Sequence, residues 1–136
     1  AQVTTLYIAG PMAGWPESNY PLFHATEDIL REAGYEVINP ARNGDGEDHD
    51  RAWYMRRSIP QVLAADGIAL LPGWSSSRGA RLERQIASAV GIPMSEVPYW
   101  IALAVSQRGK RGELMDRYVR ACQAALDAKR AMAGGS

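Results

Sequence analysis

Short apolar runs alternate with helical patterns along the chain. "TTLYIAG" is a β-prone run ending in glycine, and "YPLFHATEDILREAG" carries Leu22, Phe23, Ala25, Thr26, Ile29, Leu30 and Ala33 at helical spacing before Gly34. That order predicts strand, loop, helix. "YEVINP" predicts a second strand stopped by Pro40, and "ARNGDGEDHDR" a polar loop without period. "AWYMRRSIPQVLAAD" has the pattern of a helix, with Pro60 expected to kink it or open a new segment because proline lacks the N–H that the preceding turn uses. "GIALLPG" is continuously apolar, as a parallel strand covered on both faces should be, and "RGARLERQIASAVG" follows as a helix closed by Gly91.

Beyond residue 91 the pattern weakens. "IPM" is a candidate fourth strand, and "VPYWIALAVSQ" fits helix better than strand. "GELMDRYVRACQAALDAKRAMA" is strongly helical, with Leu114, Tyr118, Cys122 and Ala125 on one stripe. Alternating strands and helices imply an α/β fold: an open parallel sheet with helices on both faces, plus a C-terminal helix. The length of 136 residues suits a single domain, with 1–93 as core and 94–136 as a helical extension. The apolar stripe of the last helix suggests a subunit contact, hence a homodimer or larger homo-oligomer.

Composition narrows the partners. The 15 basic and 15 acidic residues cancel, so no strong long-range field gathers a nucleic-acid polymer or an anionic membrane. A small anion held locally remains open. The single cysteine excludes an internal disulfide framework and fits a reducing compartment. No stretch approaches the roughly 20 apolar residues of a membrane span, and no signal-like segment opens the sequence. A soluble, cytoplasmic protein is expected. The two histidines, His24 and His49, are too few for a metal site, and "NGDGEDHD" lacks the spacing of a calcium loop, so it reads as a solvated lid. No Walker loop or G-x-G-x-x-G occurs, and no cofactor is expected.

The chemistry concentrates in "GWSSSRGARLERQ". Ligands of open parallel sheets bind beyond the carboxyl ends of the strands, where this loop, "AGPMAGW" and the acidic loop all lie. A helix N-terminus there offers unpaired N–H groups, so Ser75, Ser76, Ser77 and Gly79 suit a phosphate or sugar hydroxyls. Glu83, one turn further, aims back at the same pocket because helical side chains tilt towards the N-terminus. The plainer alternative makes Ser77 a helix cap and Glu83 a solvated first-turn carboxylate. Trp15, Trp53, Tyr54 and Trp74 are candidates for stacking on a base. Arg56, Arg57 and Arg78 are candidates for phosphate, with Arg78 favoured by its place in the serine loop.

Together "LYIAGPM", "GYEVINPA", "WYMRRSI", "ADGIALLPGW" and "SSSRGARLERQIASAVGIP" resemble the nucleoside 2-deoxyribosyltransferase superfamily, especially an often phage-encoded branch with a "GPM" first loop. The resemblance covers about residues 4 to 93 and is most specific at Ser77, Gly79 and Glu83. It implies a flavodoxin-like or Rossmann-like fold and cleavage of N-glycosidic bonds in deoxynucleosides or nucleoside 5'-monophosphates, in a bacterium or phage-infected host. It also implies that Glu83 is the nucleophile on the anomeric carbon, that Asp66 assists the departing base, and that Tyr7 and Gly10 stand beside the sugar. Ser77 would receive the phosphate. Pro11 and Met12 depart from the polar or small residues usual in the family, so sugar contacts there should differ. The transferases also take a C-terminal polar group from a neighbouring subunit, which "AKRAMAGGS" does not supply, so water is the expected acceptor. Base exchange between deoxynucleosides and a non-catalytic nucleotide sensor are the alternatives.

Overall fold

The computed structural model describes residues 4–44, 50–104 and 109–134. Four strands, β1 Thr5–Ala9, β2 Glu36–Ile38, β3 Gly67–Leu70 and β4 Met94–Glu96, form one parallel sheet in the order β2-β1-β3-β4. The architecture is α/β and flavodoxin-like, as expected. Side chains alternate across β1 and β3, so Leu6, Ile8, Ala69 and Leu71 join one core while Tyr7, Ala9, Ile68 and Leu70 join the other. Helices α1 Tyr20–Glu32, α4 Val97–Leu103 and α5 Arg111–Gly134 cover the first face. Helices α2 Arg51–Ala64 and α3 Arg78–Ala89 cover the second. Tyr7 therefore reaches α2 and α3 because of its parity in β1.

Two packing details hold this frame. Trp100 on α4 donates its indole N–H to the carbonyls of Ile68 at 3.0 Å and Ser95 at 3.2 Å, locking α4 to the sheet. The buried Glu27 accepts from Arg42 at 2.6 Å, Arg31 at 2.8 Å and Asn39 at 3.0 Å, which ties α1 to the segment after β2. Burial opposes its charge, but the hydrogen bonds from Arg42, Asn39 and Arg31 outweigh that and hold the carboxyl down at about 2.

The structure departs from expectation at two places. Pro60 does not open a new segment: α2 continues through it as one helix, with the proline exposed. The stripe of α5 is covered within the chain: Leu114 and Tyr118 are buried in the same core as α1, Cys122 and Ala125 pack against it, and Arg117 pairs with Glu32 at 2.7 Å. That stripe therefore gives no argument for a subunit contact. Among the described residues no helix is long and apolar enough to cross a membrane.

Between β1 and α1 the chain makes a left-handed turn at Glu17, Ser18 and Asn19, with φ of 51°, 55° and 62°. Such backbone costs roughly 1–2 kcal/mol per non-glycine residue. The buried Asn19 amide helps to hold it by donating to the Pro11 carbonyl at 3.0 Å. The turn sets Ser18 and Tyr20 on the rim of the cleft described next.

Candidate active site

Helix α3 starts where it does because Ser77 has extended backbone and its Oγ accepts from the Ala80 N–H at 3.2 Å. From that start, Gly79, Ala80 and Glu83 fall on the side of α3 that faces Tyr7. The Tyr7 phenol donates to Glu83 Oε2 at 2.5 Å, with Tyr7 fully buried and Glu83 only 3% exposed. The solvated-carboxylate alternative is thereby excluded. Ser58 on α2 is fully buried, its hydroxyl donating to Met55 Sδ at 3.8 Å, and it and Tyr54, one turn earlier, act on the charge of the Tyr7 and Glu83 pair. One carboxylate thus sits among three hydroxyls.

Above this group opens a cleft of about 300 Å³ at the carboxyl ends of β1 and β3. Gly10, Met12 and Ala13 from the loop after β1 form one wall, and Ser77, Gly79, Ala80 and Glu83 another. Asp50, Arg51, Tyr54 and Met55 at the start of α2 close the third side. A family model described as "Domain of unknown function (DUF4406)" matches residues 4–96. The chain belongs to the DUF4406 family. The matched span holds all four strands and the whole Tyr7, Ser58 and Glu83 group, while α4 and α5 lie beyond it. No curated protein matches the chain at a significant level.

The electrostatics of the DUF4406 site follow from its burial. Loss of solvent pushes the Glu83 carboxyl up to about 7, against the Tyr7 hydrogen bond and the Ser58 hydroxyl, which favour its charged form. Burial dominates, and the group titrates near neutrality. Burial and the nearby Glu83 charge also raise the phenols of Tyr7 and Tyr54, which stay neutral donors. The ensemble can hold a cationic carbon against a carboxylate in a place with little water. Among the described residues no group of three or more His, Cys, Asp or Glu is arranged to hold a metal ion.

Of the residues singled out in the sequence, Tyr7, Gly10, Met12, Tyr54, Ser77, Gly79 and Glu83 come together here. Asp66 does not. It precedes β3 at the opposite, amino-terminal edge of the sheet, is exposed, and its carboxylate accepts from the Thr5 N–H at 2.8 Å. An acid placed there does not reach the cleft at Glu83, so the role that the resemblance implied for Asp66 does not fit this structure. We expect Asp66→Asn to leave base release within about twofold of the parent, since surface changes away from a site alter little; steady-state release rates check this.

Pro11 and Trp15 are also displaced from the cleft. A Cβ added at Gly73 would stand 3.3 Å from both the Pro11 ring and the Trp15 indole, so these two pack on that turn. The Lys129 ammonium from α5 lies 4.3 Å above Trp15. Ser75 and Arg78 line an adjoining depression with Trp74, whose ring lies beneath the Arg84 guanidinium at 5.3 Å. Arg57 covers Trp53 at 3.7 Å, and Arg56 is exposed, lining neither hollow. His24 joins the Asn39 network at 3.2 Å. His49 and most of the acidic loop, with its lid and calcium readings, fall at 45–49, outside the described residues. Ser58, Asp50, Arg51, Ser18 and Tyr20 were not singled out; the spacing of Tyr54 and Ser58, four residues apart on α2, was the available signal.

Proposed function

We propose that this DUF4406 protein is an N-glycosidase that hydrolyses a (2'-deoxy)nucleoside 5'-monophosphate to free base and sugar 5-phosphate. The observation that carries the proposal is the buried Tyr7–Glu83 pair at the foot of a cleft whose rim is the start of α3. Glu83 attacks the anomeric carbon as the bond to the base breaks, and the base leaves with the bonding pair and gains a proton. Water then cleaves the glycosyl ester and restores the carboxylate. The Ser77 hydroxyl and the Gly79 N–H at the start of α3 take the phosphate. The rise from Gly79 to Glu83 is about 6 Å, close to the span from a 5'-phosphate to the anomeric carbon.

With Asp66 on the far edge, the proton for the base comes from the open side of the cleft, where Asp50 is the second carboxylate among its lining residues. The displacement of Asp66 is also the observation that favours the second reading, a nucleotide sensor without turnover. One experiment separates them. The protein and its Glu83→Ala variant are incubated with deoxynucleoside monophosphates, the matching nucleosides and ribonucleotides, and free base is followed by chromatography. The glycosidase reading predicts release from monophosphates that the variant loses. Nucleotide binding by calorimetry without release of any base rejects catalysis and leaves the sensor.

A further inference from the structure

Beside the cleft lies a second, wider depression of about 630 Å³, and its charge is one-sided. Arg51 from the first position of α2 and Arg78, Arg81 and Arg84 from the first two turns of α3 line it, together with Trp74 and Ser75. All four arginines are exposed, and none is in an ion pair with a described carboxylate. Arg81 donates to the Ser75 carbonyl at 3.4 Å, and Arg84 lies over the Trp74 ring. Arg51 lines both hollows, which places them side by side.

This arrangement works against the stability of the free protein. Cations in the first turns of a helix oppose its dipole, and Arg78, Arg81 and Arg84 repeat at spacings of three, where like charges repel. The first turn of α3 has no acidic residue to offset them. Among the described residues no carboxylate pairs with them, and a cluster so placed suits a bound anion. Its position selects the kind of anion. Arg78, between Ser77 and Gly79 in the sequence, lines the depression, so a phosphate held at those two residues has the depression beside it.

We propose that this depression binds the outer phosphates of a nucleoside di- or triphosphate whose sugar lies over Glu83. The inference rests on the nucleotide reading of the cleft and extends it from monophosphates to polyphosphates. A single-stranded nucleic acid fits less well, because strand grooves use successive aromatic platforms and this depression holds one tryptophan. The guanidiniums would each donate in pairs to phosphate oxygens, with Trp74 holding Arg84 in place from behind.

The test is calorimetry at fixed ionic strength with the mono-, di- and triphosphates of one nucleoside, and a single-stranded oligonucleotide. The protein is compared with the variant carrying Arg81→Gln and Arg84→Gln. The proposal predicts at least about tenfold tighter binding of triphosphate than monophosphate, with that ratio falling to about two or less in the variant. The variant should also melt no lower than the parent without ligand, which a merely structural role for these arginines would not allow. Equal affinities for mono- and triphosphate, a preference that survives in the variant, or an oligonucleotide bound more tightly than triphosphate would each overturn it. Base release is scored separately. A polyphosphate preference without release supports this site while the glycosidase reading fails alone, and release without the preference overturns this site while the role of Glu83 stands.

Discussion

Glu83→Gln is expected to reduce base release by about 10³-fold or more and, at the same time, to make the protein harder to unfold above pH 7. The second effect comes from the price of charging a buried carboxyl. Glu83 titrates at about 7 in the folded chain, against an ordinary value of 4.5. The folded state therefore holds the proton more tightly than the unfolded one. Its contribution to stability is complete below pH 4.5 and is lost as pH rises through 7. The loss amounts to about 3 kcal/mol at most, from the 1.36 kcal/mol carried by each pH unit of separation. An amide never ionises and escapes it, while it still accepts from Tyr7. Urea unfolding at pH 4.5 and pH 8 should show a stability gain for the variant only at the higher pH. An equal offset at both would mean that Glu83 is not perturbed by burial. The same titration predicts that kcat/KM of the parent rises with pH and levels off above about 7, because only the charged form attacks.

Gly10→Ala should cost both stability and activity. A Cβ at Gly10 would stand 2.7 Å from Leu71 Cβ and 2.8 Å from its Cδ1. The Cβ of Leu71 is fixed to the backbone just after β3, so the strands themselves must shift. Overpacking of this kind costs roughly 1–3 kcal/mol. Because Gly10 forms a wall of the cleft, the shift also moves the substrate relative to Glu83, and displacements near 1 Å at such sites cost about 10²-fold in rate. Gly79→Ala gives the contrast: an added Cβ there meets nothing nearer than Met55 Sδ at 4.0 Å. Within α3 alanine replaces glycine with a gain of roughly 0.5–1 kcal/mol, yet it stands where ligand approaches the helix start. Thermal melts with release rates should show Gly10→Ala losing both properties and Gly79→Ala losing activity alone. Equal melting temperatures for the two variants would contradict this packing.

The frame was legible because its signals are local. Continuous apolar runs at Thr5–Ala9 and Gly67–Leu70, and helices closed near Gly34 and Gly91, mark the parallel sheet without reference to anything distant. Glu83 and Ser77 were legible for the same reason: a cap and a residue within two turns of it are set by helix geometry. The errors came where distant contacts decide. Trp15 looked like a stacking residue, but Lys129, 114 positions away, and the turn at Gly73 engage it. Whether the α5 stripe meets a second subunit or α1 depends on how the chain returns, which periodicity does not encode. Asp66 is different, because it was avoidable. A residue just before a parallel strand stands at the amino-terminal edge, and the binding loops stand at the other. Ser58 carried only one signal, its spacing four residues from Tyr54, since a serine within a helix is otherwise of an ordinary type.

The central claim is that Glu83 bonds covalently to the sugar, and the most direct measurement is the mass of the Glu83 peptide during turnover. The protein is mixed with a deoxynucleoside 5'-monophosphate that it cleaves, quenched in acid within the first turnovers, digested and analysed by mass spectrometry. The account predicts a deoxyribosyl phosphate ester on Glu83 that disappears as water releases it. Base release that proceeds with Glu83 unmodified, and that persists in Glu83→Ala, would contradict it.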